Sequence, residues 1–229
     1  MSIYFISGID TDIGKSVATG MMARYLHLRG VRVITMKMVQ TGNDGFSEDL
    51  NLHRAMMEVP PFPEDRQRLT APQIFHFPAS PHLAALLEKK QVDLNAIRSA
   101  IAEVSKRYEV VLVEGAGGLA VPLTEDFLAV DFIRELNVPL ILVSSGRLGS
   151  LNPTILSIEA AANRGIHIAG TVYNLFPPAD PTIDADSPRM IRKYLARHGM
   201  SEALVELPEV RKPYPFVDFS AIFGKEAEK

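Results

Sequence analysis

Short apolar runs alternate with longer helical segments along most of the chain, and this alternation is the strongest constraint on the fold. The runs are rich in β-branched residues and largely uninterrupted, which is typical of parallel strands buried on both faces. The longer segments have helical spacing and can form the crossovers between such strands. We therefore expect an α/β fold: a doubly wound, mainly parallel sheet of about seven strands with helices on both faces. The apolar runs are residues 3–7, 31–37, 110–115, 138–145, 166–174 and, more weakly, 203–208, and the helical segments are residues 15–29, 82–89, 93–107, 127–136, 153–164 and 187–198.

Three segments depart from this alternation. Residues 59–81 are rich in proline and are predicted to form an excursion from the sheet. Residues 175–188 are predicted to form a long loop, and residues 209–229 a loosely packed C-terminal tail. A chain of 229 residues can bury one large core, so residues 1–229 are expected to form a single domain.

The composition excludes several classes of protein. Hydrophobic residues make up 47% of the chain and charged residues 22%, which is typical of a globular protein and not of a disordered one. The net charge of -3, without a basic cluster, argues against a nucleic-acid partner. The absence of cysteine excludes thiolate chemistry and fits a reducing compartment. We see no signal peptide and no membrane span, so we expect a cytoplasmic protein.

The stretch GIDTDIGKSV, residues 8–17, lies between the first predicted strand and the first predicted helix. A strand, a glycine-containing turn and GKS at a helix start are the parts of a P-loop. In a P-loop, backbone N–H groups and the lysine hold phosphates while Ser or Thr binds magnesium. Five residues separate Gly8 from Gly14, whereas the common pattern has four. The stretch favours nucleotide binding by Lys15 and Ser16, and the alternative is a capped helix with Lys15 exposed.

Charged residues stand at the ends of two further predicted strands. Glu114 ends one of them, and ligands of open parallel sheets bind beyond the carboxyl ends of the strands. Glu114 is therefore expected beside the P-loop, where it could bind Mg²⁺ with Ser16, although it could instead cap the following loop. Lys37 ends the second predicted strand and is predicted to face the phosphates. Asp49 is either another magnesium ligand or only a residue at a helix start.

Together these motifs resemble the dethiobiotin synthetase family. The P-loop of that family reads roughly G-T-D-T-x-V/I-G-K-T/S, with the same spacing as GIDTDIGKS here. The resemblance covers most of residues 3–174 in the family's order, and the departures at Ile9, Met38 and Ser16 remove no group that the chemistry needs. The other matching segments are KMVQTG (37–42), SPHLAA (80–85), VEGAGGLAVPL (113–123), PLILVSSGRLGSLN (139–152) and AGTVYN (169–174).

The resemblance implies a P-loop NTPase-like fold and an ATP-dependent cyclo-ligase of biotin biosynthesis. Its substrates would be 7,8-diaminononanoate (7,8-diaminopelargonate), CO₂ and ATP, with Mg²⁺ as cofactor. One amine forms a carbamate with CO₂, and phosphorylation of the carbamate gives a carbamic–phosphoric anhydride. The second amine then closes the ring to give dethiobiotin, ADP and phosphate. Such a site brings several negative oxygens together, so it needs cations and fixed hydrogen-bond donors.

The resemblance also implies roles for individual residues. The nucleotide is expected to contact Asp12, Ile13, Gly14, Lys15, Ser16, Val17, Asn174 and Pro208. The other substrates are expected to contact Thr11, Lys37, Thr41, Gly117, Ser150, Leu151 and Asn152. Lys37, Lys15 and Thr11 are the expected catalytic residues, and Ser16, Asp49 and Glu114 the expected metal ligands. The family resemblance further implies a homodimer, in which GSLN (149–152) receives the substrate carboxylate from the partner's site.

Two other classes of function are compatible with a P-loop. Another member of the P-loop amidotransferase or MinD/ParA-like group would often carry K-G-G-x-G-K, which this chain lacks. Cobyrinate-type amidases of that group also need a catalytic cysteine. A module that only senses ATP has little need of Lys37 and Thr41 beside the γ-phosphate, so the sequence favours the enzyme.

Overall fold

A six-stranded parallel sheet forms the centre of the structure, a computed structural model that describes residues 1–224. The strands of the described residues are β1 (Ser2–Gly8), β2 (Val33–Lys37), β3 (Gln40–Thr41), β4 (Ile74–Phe75), β5 (Val110–Gly118), β6 (Pro122–Thr124), β7 (Phe127–Leu128), β8 (Leu140–Ser145), β9 (Ile168–Asn174) and β10 (Leu204–Leu207). The main sheet has the spatial order β10–β9–β8–β1–β5–β2, and all of its neighbouring strands run parallel.

The predicted class of fold is confirmed, but about seven strands is one too many for the main sheet. All six predicted runs lie in that sheet. The additional strands pair only with one another, β3 with β4 and β6 with β7. Each of them is two or three residues long, so it forms only a short ladder beside the main sheet.

Helices cover both sides of the main sheet. In chain order they are α1 (Lys15–Leu28), α2 (Glu48–Met57), α3 (Pro63–Arg66), α4 (Pro81–Leu87), α5 (Leu94–Ser105), α6 (Ala129–Leu136), α7 (Leu151–Ala162), α8 (Pro181–Arg197) and α9 (Ser220–Phe223). The central strands β1, β5 and β8 are almost entirely buried, since neighbouring strands flank them and helices cover them.

The loop predicted over residues 175–188 is too long, because α8 already begins at Pro181. Asp180 caps this helix by accepting a hydrogen bond from the Thr182 N–H at 2.8 Å. Proline is tolerated in the first turn, where its missing N–H would have no partner inside the helix. Pro181 and Pro188 hide the helical pattern in the sequence, although the chain is helical across both.

The proline-rich segment 59–81 leaves the main sheet, as predicted, and then runs beside the end of β2 and the short strand β3. The backbone N–H of Lys37 donates to the Thr70 carbonyl at 2.7 Å, and that of Gln40 donates to the Gln73 carbonyl at 2.9 Å. The segment therefore satisfies backbone groups that an edge strand would otherwise leave unpaired.

The C-terminal segment is packed more firmly than predicted. Phe219 is fully buried, and Val217, Ile222 and Phe223 belong to the same hydrophobic core as the sheet. The ring of Phe219 meets that of Tyr25 on α1 edge to face, with centroids 5.7 Å apart. The prediction of a loose tail is thus wrong for residues 217–223, while residues 225–229 lie outside the described part of the chain.

Within residues 1–224, none of the helices is both long enough and apolar enough to span a bilayer.

Phe219→Ala should lower the free energy of unfolding by about 3–5 kcal/mol, because it removes a fully buried ring from the core. Phe216→Ala is the matched control, since the Phe216 side chain is 70% exposed. The control should change stability far less. Urea unfolding of both variants measures the difference, and equal effects would mean that the tail does not anchor through Phe219.

Candidate active site

The P-loop turn joins β1 to α1, and its backbone enters the left-handed region that glycine favours. Gly14 has a φ of 90° and Asp12 a φ of 55°, both in the left-handed region. A Cβ at Gly14 would lie 2.5 Å from Nδ2 of Asn174. That same amide nitrogen donates to the Ile13 carbonyl at 3.0 Å, so the end of β9 holds the turn in place.

Lys15 begins α1, and its side chain is buried against the turn. Its Nζ donates to the Asp10 carbonyl at 2.7 Å. Burial, followed by repulsion from Lys37, lowers the pKa of Lys15 to about 8. The alternative in which Lys15 is an exposed residue of a capped helix is wrong, since only 7% of the residue is exposed.

The three predicted metal ligands lie together at the mouth of the P-loop. Ser16 Oγ is 2.8 Å from both Asp49 Oδ1 and Glu114 Oε1. Lys37 Nζ lies 2.6 Å from Asp49 Oδ2 and 2.8 Å from Glu114 Oε1, and it also donates to the Gly115 carbonyl. Asp49 is in the first turn of α2, so it is a helix-start residue that also belongs to this cluster.

Charge neutralisation sets the protonation of this cluster. Burial alone would raise the pKa of Glu114, but the Lys37 ammonium and the hydrogen bond from His53 outweigh it, and the pKa lies well below its usual range. Burial alone would lower the pKa of Lys37, but the Glu114 and Asp49 carboxylates outweigh it and raise that pKa. The cluster therefore keeps Glu114 ionised and Lys37 protonated at neutral pH.

His53 is a residue of the site that sequence reasoning missed. It is fully buried, with Nε2 2.9 Å from Glu114 Oε2 and Nδ1 3.0 Å from Thr35 Oγ1. The available signal was its spacing, because His53 follows Asp49 by four residues and so lies on the same face of α2.

Two neighbouring cavities meet at the P-loop. The first, of about 470 Å³, is lined by Thr11, Asp12, Gly14, Lys15, Ser16, Val17, Lys37, Val39, Gln40, Thr41, Asp49, Leu52, Glu114, Ala116 and Gly117. The second, of about 430 Å³, is lined by Thr11, Thr41, Pro78, Ala79, Ser80, Pro81, Ala116, Gly117 and Val121. Most of the predicted site residues line the first cavity, and the two cavities share Thr11, Thr41, Ala116 and Gly117.

Gly117 gives the shared wall its shape. It has a φ of 63°, and a Cβ there would lie 2.6 Å from Val121 Cγ2 and 3.9 Å from Thr11 Oγ1. A side chain at this position would therefore crowd the passage between the cavities. Residues 78–81 and Val121 in the second cavity were missing from the predicted site, although Ser80, Pro81 and Val121 fall in segments that carry the family resemblance.

The remaining predicted residues lie away from these two cavities. Ser150, Leu151 and Asn152 form the start of α7 and are not among the described residues that line either cavity. Ser150 Oγ is buried and has no hydrogen-bond partner among the described residues. Pro208 follows β10, which pairs with β9 at Asn174, but it lines a separate cavity of about 450 Å³.

The donor set fits a magnesium ion. Ser16, Asp49 and Glu114 offer a hydroxyl and carboxylate oxygens, which are hard ligands. Among residues 1–224 no group of three or more His, Asp and Glu side chains has the arrangement of a metal centre. Two carboxylates without a third suit Mg²⁺, which is commonly bound by one or two carboxylates together with substrate phosphates.

The fold and the lysine-bearing turn define a P-loop nucleotide-binding protein of the α/β class. Solved structures with this fold include a ParA family ATPase from Chlorobium tepidum TLS, with a TM-score of 0.52 and 14% identity over 91% of this chain and 84% of that one. Another is pNOB8 ParA bound to nonspecific DNA, with a TM-score of 0.58 and 12% identity over 99% of this chain and 96% of that one. At these identities the likeness concerns the fold alone.

A family model described as an AAA domain matches residues 3–212. The chain is 42% identical to the ATP-dependent dethiobiotin synthetase BioD 2 of Pasteurella multocida, over 86% of this chain and 92% of the relative. It is 47% identical to the ATP-dependent dethiobiotin synthetase BioD of Chlorobaculum tepidum, over 87% of this chain and 84% of the relative. The chain belongs to the ATP-dependent dethiobiotin synthetase family.

Gly14→Ala should weaken the binding of an ATP analogue by about tenfold or more, equivalent to about 1.4 kcal/mol. The added Cβ would displace Asn174 and with it the P-loop turn that Asn174 holds in place. Gly30→Ala is the control, since Gly30 also has a positive φ but nothing within 4 Å of a Cβ. Titration with a fluorescent ATP analogue measures both variants. Unchanged binding by Gly14→Ala would separate the turn from nucleotide recognition.

Proposed function

We propose that this site carries out the reaction for which its relatives are named, the ATP-dependent formation of dethiobiotin. The substrates are 7,8-diaminononanoate, CO₂ and ATP, and the products are dethiobiotin, ADP and phosphate. One observation supports this proposal most: Lys15 and Lys37 line the same cavity as Thr11 and Thr41, and the two threonines also line a second, neighbouring cavity. A protein that only bound ATP would not need the second cavity.

The phosphates of ATP are assigned to the P-loop. Gly14 to Val17, at the start of α1, line the first cavity, and the unpaired N–H groups of a helix start favour negative charge. Lys15 lines the same cavity and would exchange the Asp10 carbonyl for a phosphate oxygen when the nucleotide binds. The remaining predicted contacts in this stretch, from Asp12 to Val17, belong to the same turn and helix start.

The base of the nucleotide is assigned to the strand ends beside the P-loop. One N–H of the Asn174 side-chain amide already donates to the Ile13 carbonyl, and Asn174 Oδ1 accepts from the Phe176 N–H at 3.1 Å. One amide hydrogen remains for the base. Pro208 lies at the adjoining end of β10, so its contact would be with the face or edge of the ring.

The diamine is assigned to the second cavity and its mouth. Thr11 and Thr41 offer hydroxyls at the shared wall, and Gly117 leaves room beside them. Once one amine has taken up CO₂, the carbamate oxygen attacks the γ-phosphorus and ADP leaves. The second amine then attacks the carbonyl carbon and expels phosphate. Lys37, held at the cavity between Asp49 and Glu114, offsets the negative charge that develops in these steps.

Ser16, Asp49 and Glu114 would hold Mg²⁺. The ion would supply positive charge to the phosphate oxygens as the phosphoryl group is transferred. The chain's own contribution is to fix these ligands: Glu114 is immobilised in β5 by the hydrogen bonds of Lys37 and His53, and Asp49 by the first turn of α2.

We further propose that the enzyme is a homodimer in which the start of α7 reaches the partner's substrate. The side chains of Leu148 and Leu156 are 80% and 60% exposed, and Asn152 between them is exposed too. Asn152 and Leu156, four residues apart on α7, form an exposed stripe on one face of the helix, and Leu148 lies in the turn that precedes it. Such a stripe suits contact with another protein surface. Ser150, Leu151 and Asn152 would then complete the site of the neighbouring subunit. A cytoplasmic location remains a prediction from sequence.

The purified protein should release phosphate from MgATP only when 7,8-diaminononanoate and bicarbonate are both present, and dethiobiotin should accumulate. Lys37→Ala is the informative variant. It should still bind MgATP, because the P-loop and Lys15 remain, yet lose about 10²–10³ in rate. Phosphate release and mass spectrometry of the product measure both proteins. Turnover without diamine, or without dethiobiotin, would contradict the proposed reaction.

If the site is shared between subunits, two inactive variants should complement each other. Asn152→Asp places a negative charge at the helix start that is assigned to the substrate carboxylate. Lys37→Ala disables the other end of the site, where the amines and the γ-phosphate react. Co-refolding in equal amounts makes half of the dimers mixed, each with one intact site, so activity should return to about a quarter of wild type. No recovery, with mixed dimers demonstrated by mass spectrometry, would place the whole site in one chain.

A further inference from the structure

A directed chain of buried hydrogen bonds ends on Glu114. Arg54 Nη1 donates to Thr35 Oγ1 at 2.6 Å, and the Thr35 hydroxyl, 3.0 Å from His53 Nδ1, can donate its hydrogen to that nitrogen. His53 Nε2 then carries the ring hydrogen and donates to Glu114 Oε2 at 2.9 Å, because an ionised carboxylate only accepts. The tautomer of His53 is thus assigned by its partners.

Arg54, at the far end of this series of hydrogen bonds, is also held in place. Arg54 makes a two-pronged ion pair with Asp65, from Nε to Oδ2 at 2.8 Å and from Nη2 to Oδ1 at 2.7 Å. Asp65 also accepts from the Thr70 hydroxyl at 2.7 Å. Since Thr35, His53 and Arg54 are all buried, water has little access to compete for these bonds.

The two carboxylate oxygens of Glu114 have different hydrogen-bond partners. Oε2 is turned to His53, while Oε1 faces Ser16 and Lys37 at the cavity. The carboxylate is fully buried, so it cannot rotate without breaking the bond to His53. Only Oε1 is therefore presented to a cation in the cavity.

We propose that His53 is a positioning residue that restricts Glu114 to binding metal through one oxygen, and that it thereby favours Mg²⁺ over Ca²⁺. Mg²⁺ requires a near-octahedral shell, which one oxygen per carboxylate supplies. Ca²⁺ accepts six to eight ligands and commonly uses both oxygens of a carboxylate. This inference rests on the proposed function, because it takes Glu114 as a ligand of the metal that accompanies ATP.

Two variants of His53 distinguish its role as a hydrogen-bond donor from a role in filling space in the core. His53→Leu keeps an apolar side chain of useful size in the core but removes the donor to Glu114. His53→Gln keeps an N–H donor that can reach the carboxylate. If His53 only packs, the two variants should resemble each other in metal binding; if it positions Glu114, the glutamine variant should be rescued.

The test measures Mn²⁺ binding to the full-length protein with ADP by electron paramagnetic resonance, followed by displacement with Mg²⁺ or Ca²⁺. His53→Leu should weaken Mn²⁺ binding by about 10- to 100-fold, as for other outer-shell partners of metal ligands. It should also raise the affinity for Ca²⁺ relative to Mg²⁺, and His53→Gln should stay close to wild type in both. Unchanged Mn²⁺ affinity in His53→Leu, or equal loss in both variants, would overturn the inference.

Glu114→Gln distinguishes failure of the proposed metal site from failure of the inference about His53. If this variant binds Mn²⁺ as wild type does, Glu114 is not a ligand, and both the proposed metal site and this inference fail. If it binds weakly while His53→Leu binds normally, only the inference fails.

Nitrogen-15 NMR of the histidines in the wild-type protein supplies a measurement that does not depend on any variant folding. A hydrogen on Nε2 of His53 is the expected result. A lone pair on Nε2, facing Glu114, would overturn the inference.

Discussion

The ionised Glu114 at the centre of a buried sheet is the interaction on which the rest of the site depends. A carboxylate without exposure is costly unless a cation and hydrogen-bond donors accompany it. Lys37, at the end of the adjacent strand, supplies the cation, and the strand register places the two residues opposite each other. Parallel pairing of β2 with β5 thus brings the charges together, and the charges in turn fix the side chains at the mouth of the P-loop.

The support for this pair extends beyond the sheet. Arg54 is bonded on one side to Thr35 in β2 and on the other to Asp65 in the proline-rich segment. The segment also accepts the backbone N–H of Lys37 itself. A stretch that resembles a surface insertion in the sequence therefore helps to hold the second lysine of an ATP-dependent enzyme in place.

The parts of the structure that depend on residues close together in the sequence could be predicted from it. The strands follow from apolar runs, and the P-loop from a turn whose glycine and lysine stand next to each other. Glu114 and Lys37 were predicted because ligands gather at the carboxyl ends of parallel strands. The contact of His53 with Glu114 spans 61 residues and leaves no local pattern. Phe219 was missed for a similar reason, since its partner Tyr25 is on the first helix and the tail has no helical or strand periodicity.

The strand order also determines when this site can be completed as the chain is made. β1 and β2 follow each other in sequence but are not neighbours, because β5 lies between them. Until residues 110–118 have been synthesised, the two first strands have no common partner, and Lys15 and Lys37 have no Glu114 between them. Insertion of β5 joins β1 to β2 and places the Glu114 carboxylate beside Lys37 in one event. Of the charged residues in this cluster, Glu114 is the last to be synthesised.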